Sequence, residues 1–264
     1  MNTPQVVREL KRDLFGRIEL VEGPSGQRIR RVASRSWNPL VGLLARILMR
    51  RERLALQRLA DVPGLARVAL DRAYIQATSL DGTTPRERDV LLRTFLEGVP
   101  LYATMELPRD FFERLEDLVS ELHAHGVCHN DLHKEPNVLV SPEGHPQLVD
   151  FQLASIHAAR GRTFRVRVAE DLRHVKKHQR FYERALGVAG PRPLARRASI
   201  GAWLWMRTGK PLYNLITRRI LRLRATEERR PPGGPWPVWT RALGPRPSSC
   251  EVVPRTEEKG RAID

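Results

Sequence analysis

One stretch of the sequence limits what this chain can fold into more than any other. Residues 127–140 read VCHNDLHKEPNVLV, and residues 149–152 read VDFQ. Short apolar runs separated by a turn predict the two strands of a hairpin over residues 138–150. Such a hairpin would bring Asn137 and Asp150 into the same cleft. Polar side chains that could act on a substrate stand at four positions of this stretch: His129, Asp131, Asn137 and Asp150.

These side-chain types suit the transfer of a phosphoryl group. An Asp in a loop just after a strand, such as Asp131, can accept or orient the proton of a hydroxyl group. The oxygens of Asn137 and Asp150 are hard ligands, which suit a Mg2+ ion that bridges to substrate phosphates. A single Asp in such a loop is usually a turn or cap residue. The four positions together favour a functional site over a turn.

The charge of the chain points to an anionic partner. It has 46 Lys and Arg against 30 Asp and Glu, a net charge of +16. The excess predicts contact with phosphates, nucleic acid or an acidic membrane surface. Two cysteines without metal-ligand spacing favour a reducing compartment. The N-terminal residues have no apolar signal core and no apolar run could span a bilayer, so we expect a cytoplasmic protein, with peripheral contact to the inner face of the membrane left open.

The order of the predicted elements indicates an α+β fold with two lobes. Strands within residues 6–33, a helix over residues 39–59 and three strand-like pieces within residues 65–96 form a predicted N-lobe, residues 1–97. A clear amphipathic helix and the short hairpin belong to a predicted helical C-lobe, residues 98–190. Two lobes around a cleft suit that order.

The C-terminal part differs in composition. Residues 191–230 predict basic amphipathic helices, since residues 192–230 hold eleven Lys or Arg and two acids. Residues 231–264, rich in Pro, Gly and charge, predict a disordered tail. Contact with an anionic membrane through residues 192–224 fits this pattern best, because aromatic side chains alternate with arginines. Nucleic-acid binding from charge alone and a solvated helical face remain alternatives. We expect no sequence-specific nucleic-acid binding.

The polar stretch also resembles a known family. The segment HNDLHKEPN resembles the catalytic loop of the protein-kinase-like superfamily, and VDFQ resembles its metal-binding Asp-Phe-Gly. The similarity is nearest to the small bacterial branch of RIO-type kinases and lipopolysaccharide core-sugar (Kdo) kinases. By this resemblance Asp131 is the catalytic Asp, and Asn137 and Asp150 are the metal ligands. His129 belongs to the catalytic loop as a buried hydrogen-bonding group behind the site, not as a base.

The resemblance also implies a nucleotide pocket. Glu52 would lie on the helix whose Glu pairs with a basic residue of the third strand. Two adjacent arginines could be that residue, and strand alternation favours Arg31 over Arg30 because Arg31 shares a face with Ile29. Backbone groups between Thr94 and Gly98 would hold adenine. The remaining predicted nucleotide contacts are Ile18, Ile29, Leu96 and Gly98.

Several positions depart from the family pattern. The interval from Asp131 to Asn137 is six residues, one more than usual. The third strand offers only arginines in place of the usual lysine, and Arg is not a point-like charge. Only Gly16 and Ile18 fit the end of a glycine-rich loop. Gln152 replaces the usual Gly, and no Ala-Pro-Glu segment follows.

The sequence therefore predicts an ATP- and Mg2+-dependent kinase. The γ-phosphoryl group of ATP would pass to a hydroxyl acceptor, with protein serine or threonine as the first expectation. A lipopolysaccharide core sugar at the inner membrane surface is the second acceptor class. A kinase-like fold that binds a nucleotide or partner without turnover is the alternative from another class, and the missing lysine and glycine loop favour it.

Overall fold

A computed structural model describes residues 3–34, 39–186 and 237–243 of the chain. The fold is mixed α+β, as the sequence predicts. The predictions for residues 191–230, and for most of residues 231–264, lie outside the described residues. The helices are α1 (Pro39–Arg58), α2 (Arg72–Gln76), α3 (Phe111–Ala124) and α4 (Arg162–Ala185).

A four-stranded antiparallel sheet forms the N-terminal part, with its strands in chain order. The tight turn between the second and third strands places Gly26 at φ +83°, a conformation that glycine adopts without strain. The predicted strands within residues 6–33 are confirmed. The strands of this sheet are β1 (Gln5–Asp13), β2 (Gly16–Gly23), β3 (Gly26–Ala33) and β4 (Val90–Thr94).

The register assigns side chains to the two faces of this sheet. Residues directly opposite each other in paired strands share a face. Ile18 is opposite Arg31, which is opposite Leu91 on β4. This face contacts α1, where Ala33, Ala45, Met49 and Leu91 form a small apolar cluster. The other face packs against α2 through a cluster made of Val6, Val21, Val32, Tyr74, Ile75, Ala77, Val90 and Leu92.

The structure corrects the prediction for residues 65–96. Only Val90–Thr94 forms a strand of the sheet among the three predicted pieces. Residues 72–76 form the short helix α2, because the side chain of Asp71 accepts a hydrogen bond from the backbone N–H of Ala73 and caps the helix. Residues 65–70 contribute only isolated bridges, such as Val68 to Arg93.

A larger apolar core lies in the C-terminal part, between α3, α4 and the small strands. Ala55 and Leu56 of α1 join this core, together with Leu59 just after the helix, so α1 contacts both parts of the molecule. The predicted hairpin over residues 138–150 is confirmed by the pairing of β8 with β9. The small strands are β5 (Val99–Pro100), β6 (Glu106–Pro108), β7 (Val127–Cys128), β8 (Val138–Val140), β9 (Pro146–Leu148), β10 (Ser155–Ile156) and β11 (Val238–Thr240).

The C-terminal segment contains order that composition did not reveal. A disordered tail is predicted over residues 231–264, whereas Val238–Thr240 forms β11, which pairs in parallel with β6. Trp239 packs against the larger core, with its ring 6.5 Å from that of Phe112. This segment is held by the partly buried ring of Trp239, by three backbone pairs with β6, and by hydrogen bonds between Leu243 and the side chains of Asp110 and Arg114. The overall composition of the segment does not indicate such contacts. Within the described residues, no helix is both long and apolar enough to cross a membrane.

Arg30 is a fully buried charge in the core of the sheet. Its guanidinium donates to Glu19, at 2.7 and 2.9 Å, and to the carbonyl oxygens of Tyr74, Ile75 and Ala77. The side chain therefore ties β3 to β2 and to α2. A buried charge is tolerated when all its donors are paired in this way.

Replacing Arg30 by Ala is expected to lower the free energy of unfolding by about 3–5 kcal/mol, because it leaves Glu19 and three carbonyl groups buried with fewer partners. Arg28→Ala is the matched control on the same strand. Arg28 is half-buried, and its main contact is with the ring of Tyr74 at 5.9 Å. We expect a loss of about 1 kcal/mol or less for it. Urea unfolding measures both, and equal losses would contradict a structural role specific to Arg30.

Candidate functional site

Asp131 lies in the loop between β7 and β8 and is almost completely buried, with 2% of its surface exposed. Its Oδ2 atom accepts hydrogen bonds from the amide of Asn137 at 3.0 Å and from the ammonium of Lys134 at 2.7 Å. The same Asn137 nitrogen also donates to the backbone carbonyl of Asp131 at 2.9 Å. The loop therefore holds one carboxylate oxygen of Asp131 in a fixed position.

The second carboxylate oxygen of Asp131 has a different environment. Oδ1 is buried and makes no hydrogen bond to any described residue, although Nδ1 of His133 lies 3.1 Å away. Buried carboxylate oxygens are normally hydrogen-bonded, and an exception needs an explanation. A substrate hydroxyl group that donates to Oδ1 would supply the missing partner.

The carboxylate of Asp171, on α4, holds the loop between β7 and β8 in place. Its Oδ2 accepts from the backbone N–H of His129 at 2.8 Å, and its Oδ1 accepts from that of Asn130 at 2.9 Å. Asn130 has φ +64°, so the chain turns sharply before Asp131. Nε2 of His123 lies 3.1 Å from Oδ2 of Asp171. These bonds fix the backbone before Asp131 and therefore the direction in which its side chain points.

The sequence did not indicate that Asp171 contacts the loop before Asp131. Asp171 resembles a residue at the start of a helix, whereas it lies in the interior of α4 and is 1% exposed. One sequence signal could have found it. Asp171 occupies the apolar face of α4, whose buried residues are Phe164, Asp171, Val175, His178 and Tyr182.

His129 lies behind Asp131 and is fully buried. Its Nδ1 accepts from the backbone N–H of Asp131 at 3.3 Å, and its Nε2 donates to the carbonyl of Val149 at 3.1 Å. Its ring packs on Phe151, with centroids 4.6 Å apart. These contacts match a supporting, hydrogen-bonding histidine. Its part in a reaction stays a prediction.

Asp150 follows the hairpin in a left-handed conformation, with φ +66°. The backbone N–H of Val149, just before it, donates to the carbonyl of Asn137 at 3.1 Å, so the two predicted metal ligands are tied through the hairpin. Burial acts to raise the pKa of Asp150. The positive charges of Arg31, Arg93, Lys11 and Lys134 outweigh it, and the pKa lies below its ordinary value. The carboxylate is therefore ionised at neutral pH.

The structure brings Arg31, Glu52 and Asp150 together. Nε of Arg31 lies 3.1 Å from Oε2 of Glu52, and Nη2 of Arg31 lies 3.4 Å from Oδ1 of Asp150. Glu52 is fully buried on α1. Arg30 points to the opposite face of the sheet, so the choice of Arg31 by strand alternation agrees with the geometry.

Arg93 on β4 was not anticipated. Its Nη1 lies 3.2 Å from Oε1 of Glu52, so Glu52 stands between two arginines. Neither oxygen of Glu52 has the geometry of a hydrogen bond, and both contacts are close ion pairs. The pairing of β3 with β4 places Arg93 opposite Ile29, which puts it on the face of Arg31. That register is a property of the sheet, which the sequence did not specify.

The predicted adenine contacts lie around the end of β4. Ile29 is buried and Ile18 is half-buried, both on the α1 face of the sheet. The backbone N–H of Thr94 already donates to the carbonyl of Arg67 at 2.9 Å, so it is committed within the protein. Leu96 is half-buried, and Gly98 passes so near the carbonyl of Val140 that a Cβ would lie 2.8 Å from it. Adenine contacts would therefore come from the segment after Thr94.

The donor set at Asn137 and Asp150 fits a Mg2+ ion. Asn137 uses its amide nitrogen on Asp131, which leaves the amide oxygen as its potential ligand atom. Asp150 supplies an ionised carboxylate whose side chain is 26% exposed, so it can reach solvent. Hard oxygen ligands of this kind, few in number, are typical of Mg2+ sites that also use substrate phosphates.

A second cluster of possible metal ligands does not fit an ion. His123, Cys128 and Asp171 are buried with their ligand atoms within 4.8 Å of one another. Burial, with the charge of Asp171, raises the pKa of the Cys128 thiol to about 12, so the thiol stays protonated. Both oxygens of Asp171 already accept hydrogen bonds from the loop. We interpret this cluster as support for residues 129–131.

Two comparisons with known proteins found no match for this chain. No model of a protein family matches the chain, and no curated protein matches it. The functional interpretation consequently depends on the contacts of the site residues themselves.

The pKa of His174 provides a pH-dependent test of the packing beside the site. Its ring lies 5.8 Å from that of His133, and burial, with the charges of Arg173 and other neighbours, lowers its pKa from 6.5 to about 4. Between these values the unfolded chain binds a proton that the folded chain does not. The free energy of unfolding should therefore fall as the pH drops from about 6.5 to about 4.

Between pH 7 and pH 5 the His174→Gln variant should lose less stability than the wild type, by about 1 kcal/mol once solvent screening of this half-buried ring is allowed for. Urea unfolding at the two pH values gives the comparison. A variant that loses as much stability as the wild type would show that His174 is not the group responsible.

Proposed function

We propose that the chain is an ATP-dependent phosphotransferase with a two-lobed, protein-kinase-like fold, related to the small bacterial branch of RIO-type and Kdo kinases. It transfers the γ-phosphoryl group of Mg-ATP to a hydroxyl acceptor, which we assign as protein serine or threonine. One observation supports this most directly. Asp131 presents a buried carboxylate oxygen, Oδ1, that accepts no well-aligned hydrogen bond from the described residues, with Nδ1 of His133 3.1 Å away, in a loop fixed by Asn137 and Asp171.

Asp131 would orient the acceptor. The hydroxyl group would donate its hydrogen bond to Oδ1, and its proton would pass to that oxygen as the bond to the γ-phosphorus forms. The bond from that phosphorus to the bridging oxygen of ATP would break in the same transfer, and ADP would leave. Asn137 and Lys134 hold Oδ2, so the carboxylate cannot rotate away from the acceptor. Catalysis of this kind depends on positioning and on neutralising charge. Each of these contacts is made before the substrate arrives.

The charges across the cleft suit a triphosphate. Asn137 and Asp150 would hold Mg2+, which when bound neutralises phosphate oxygens and bridges them to the protein. Arg31 stands between Glu52 and Asp150 and would face the phosphates from β3. Arg93 pairs with the second oxygen of Glu52, so Glu52 is shared between two arginines.

The turn between β1 and β2 cannot cradle phosphates as a glycine-rich loop does. The backbone N–H groups of Phe15 and Gly16 donate to the side chain of Asp13, at 2.9 and 3.1 Å. A phosphate would therefore need a side-chain cation at this end of the cleft. Lys11 meets this need, because it lies opposite Ile18, itself opposite Arg31, and its charge helps to lower the pKa of Asp150.

The second candidate function is nucleotide or partner binding without turnover. The closed β1–β2 turn favours it, and so does the ammonium of Lys134 on Asp131, which competes with a substrate for that carboxylate. A sugar hydroxyl of a lipopolysaccharide core is the other acceptor class, since the same carboxylate would orient it. The identity of the labelled product separates the two acceptors.

Asp131→Asn should lower phosphoryl transfer about 10²–10⁴-fold, because the amide cannot accept the hydroxyl proton. The measurement is the amount of label transferred from γ-labelled ATP to a lysate fraction and to an envelope fraction, each incubated separately with the protein. Asp117→Asn, which changes a partly exposed acid on α3, is the matched control and should leave transfer unchanged. Transfer by the Asp131 variant at the wild-type rate would refute the proposal. Nucleotide binding without transfer by the wild type would favour the binding function.

Lys11→Ala should weaken Mg-ATP binding about tenfold and leave adenosine binding unchanged, because one charged contact to phosphate is lost. Lys11→Arg should retain most of the affinity. Arg12→Ala is the control, since Arg12 lies on the opposite face of β1 and pairs with Glu9. Calorimetric titration measures all three variants. An equal loss for ATP and adenosine would mean that Lys11 does not contact the phosphates.

A further inference from the structure

Helix α1 is apolar on two opposite faces. Its buried residues form the inner face, which packs on the sheet and the larger core. Besides Leu40 at its start, which is 72% exposed, four apolar side chains are exposed on the other side: Leu43 at 53%, Leu44 at 43%, Ile47 at 45% and Leu54 at 43%. At about 100° per residue these four positions fall within one stripe, roughly opposite Glu52. We call this stripe, with the exposed Arg50 and Arg51, the outer face of α1.

An ordinary surface helix has one apolar face and one polar face. Single exposed leucines are common, but a contiguous apolar patch on a soluble surface marks an interaction site. Within the described part of the chain, these four side chains remain exposed. The outer face therefore has the composition of a surface that binds something.

The charges around the outer face restrict its partner. Glu52 is the single acid of α1 and is fully buried, so the exposed side of the helix carries positive charge alone. A second copy of this chain, with a net charge of +16, would be repelled. The basic segment over residues 192–230 would be repelled for the same reason. Nucleic acid would pair with the arginines but would leave the leucines without an apolar contact.

An anionic lipid surface offers both kinds of contact. Lipid phosphates pair with Arg50 and Arg51, and the boundary between headgroups and acyl chains accepts leucine and isoleucine side chains. We propose that the outer face of α1 docks the protein on an anionic membrane, with the helix axis parallel to the surface. The outer face of α1 does not include residues 192–224, the other segment for which we expect membrane contact. The proposal does not depend on kinase activity. The docked helix is also the one that carries Glu52 to Arg31.

The test uses the full chain with vesicles of phosphatidylcholine, alone and mixed with phosphatidylglycerol. The double variant Leu43→Glu, Ile47→Glu should reduce co-sedimentation with the mixed vesicles at least tenfold, because two apolar contacts are lost and two like charges are added. The matched control is Leu70→Glu, Leu80→Glu, since these leucines are 88% and 62% exposed and belong to segments other than α1. The control should bind as the wild type does.

A milder substitution tests insertion directly, even if the double variant fails to fold. Ile47→Cys provides the attachment site for an environment-sensitive dye, and Leu70→Cys provides the control site. Both proteins also carry Cys250→Ser, and Cys128 is protected from the dye by its burial. The dye at position 47 should shift to the blue on mixed vesicles, and the dye at position 70 should not. Vesicle binding without a shift at position 47 would overturn the proposal. Unchanged vesicle binding by the double variant would also overturn the proposal. So would a double variant whose oligomeric state changes while its vesicle binding does not.

Discussion

The candidate site depends on the hydrogen bonds that Asp171 accepts from residues 129 and 130. Two backbone N–H groups that lie in a buried loop must find acceptors, and the carboxylate of Asp171 satisfies both. The left-handed turn at Asn130 is thereby stabilised, and Asp131 leaves the loop in one direction. Asn137 then fixes one of its oxygens. The position of Asp131 therefore depends on a second buried acid, Asp171.

A second constraint comes from the chain of charges that runs from Glu52 through Arg31 to Asp150. It joins α1, the sheet and the hairpin, three elements far apart in sequence. Buried ion pairs contribute little net stability, since desolvation offsets most of their attraction. Their value here is geometric, because they hold opposite charges at defined positions around one cleft. Arg30, one residue earlier, is fully buried and serves the fold instead.

Local patterns in the sequence predicted much of this arrangement. Two apolar runs separated by a turn predicted the hairpin of β8 and β9. The alternation of side chains along β3 predicted the face of the sheet on which Arg31 lies. Three positions escaped prediction for one shared reason. Strand register brings Arg93 to Glu52 and places Lys11 on the same face of the sheet as Arg31, and Asp171 contacts the loop across 42 residues of chain. None of these contacts leaves a periodic signal near the residue concerned.

The sequence by itself determined the elements whose residues pack within a few positions of one another: the β-hairpins, the amphipathic helices and the polar loop between β7 and β8. The tertiary structure decided which polar residues meet, because hydrogen bonds and ion pairs form between elements that periodicity cannot align. It also decided that β11 joins β6, whereas α2 begins at a local cap, the hydrogen bond that the backbone N–H of Ala73 donates to Asp71. Both outcomes depend on a few specific contacts, and composition averages such contacts away.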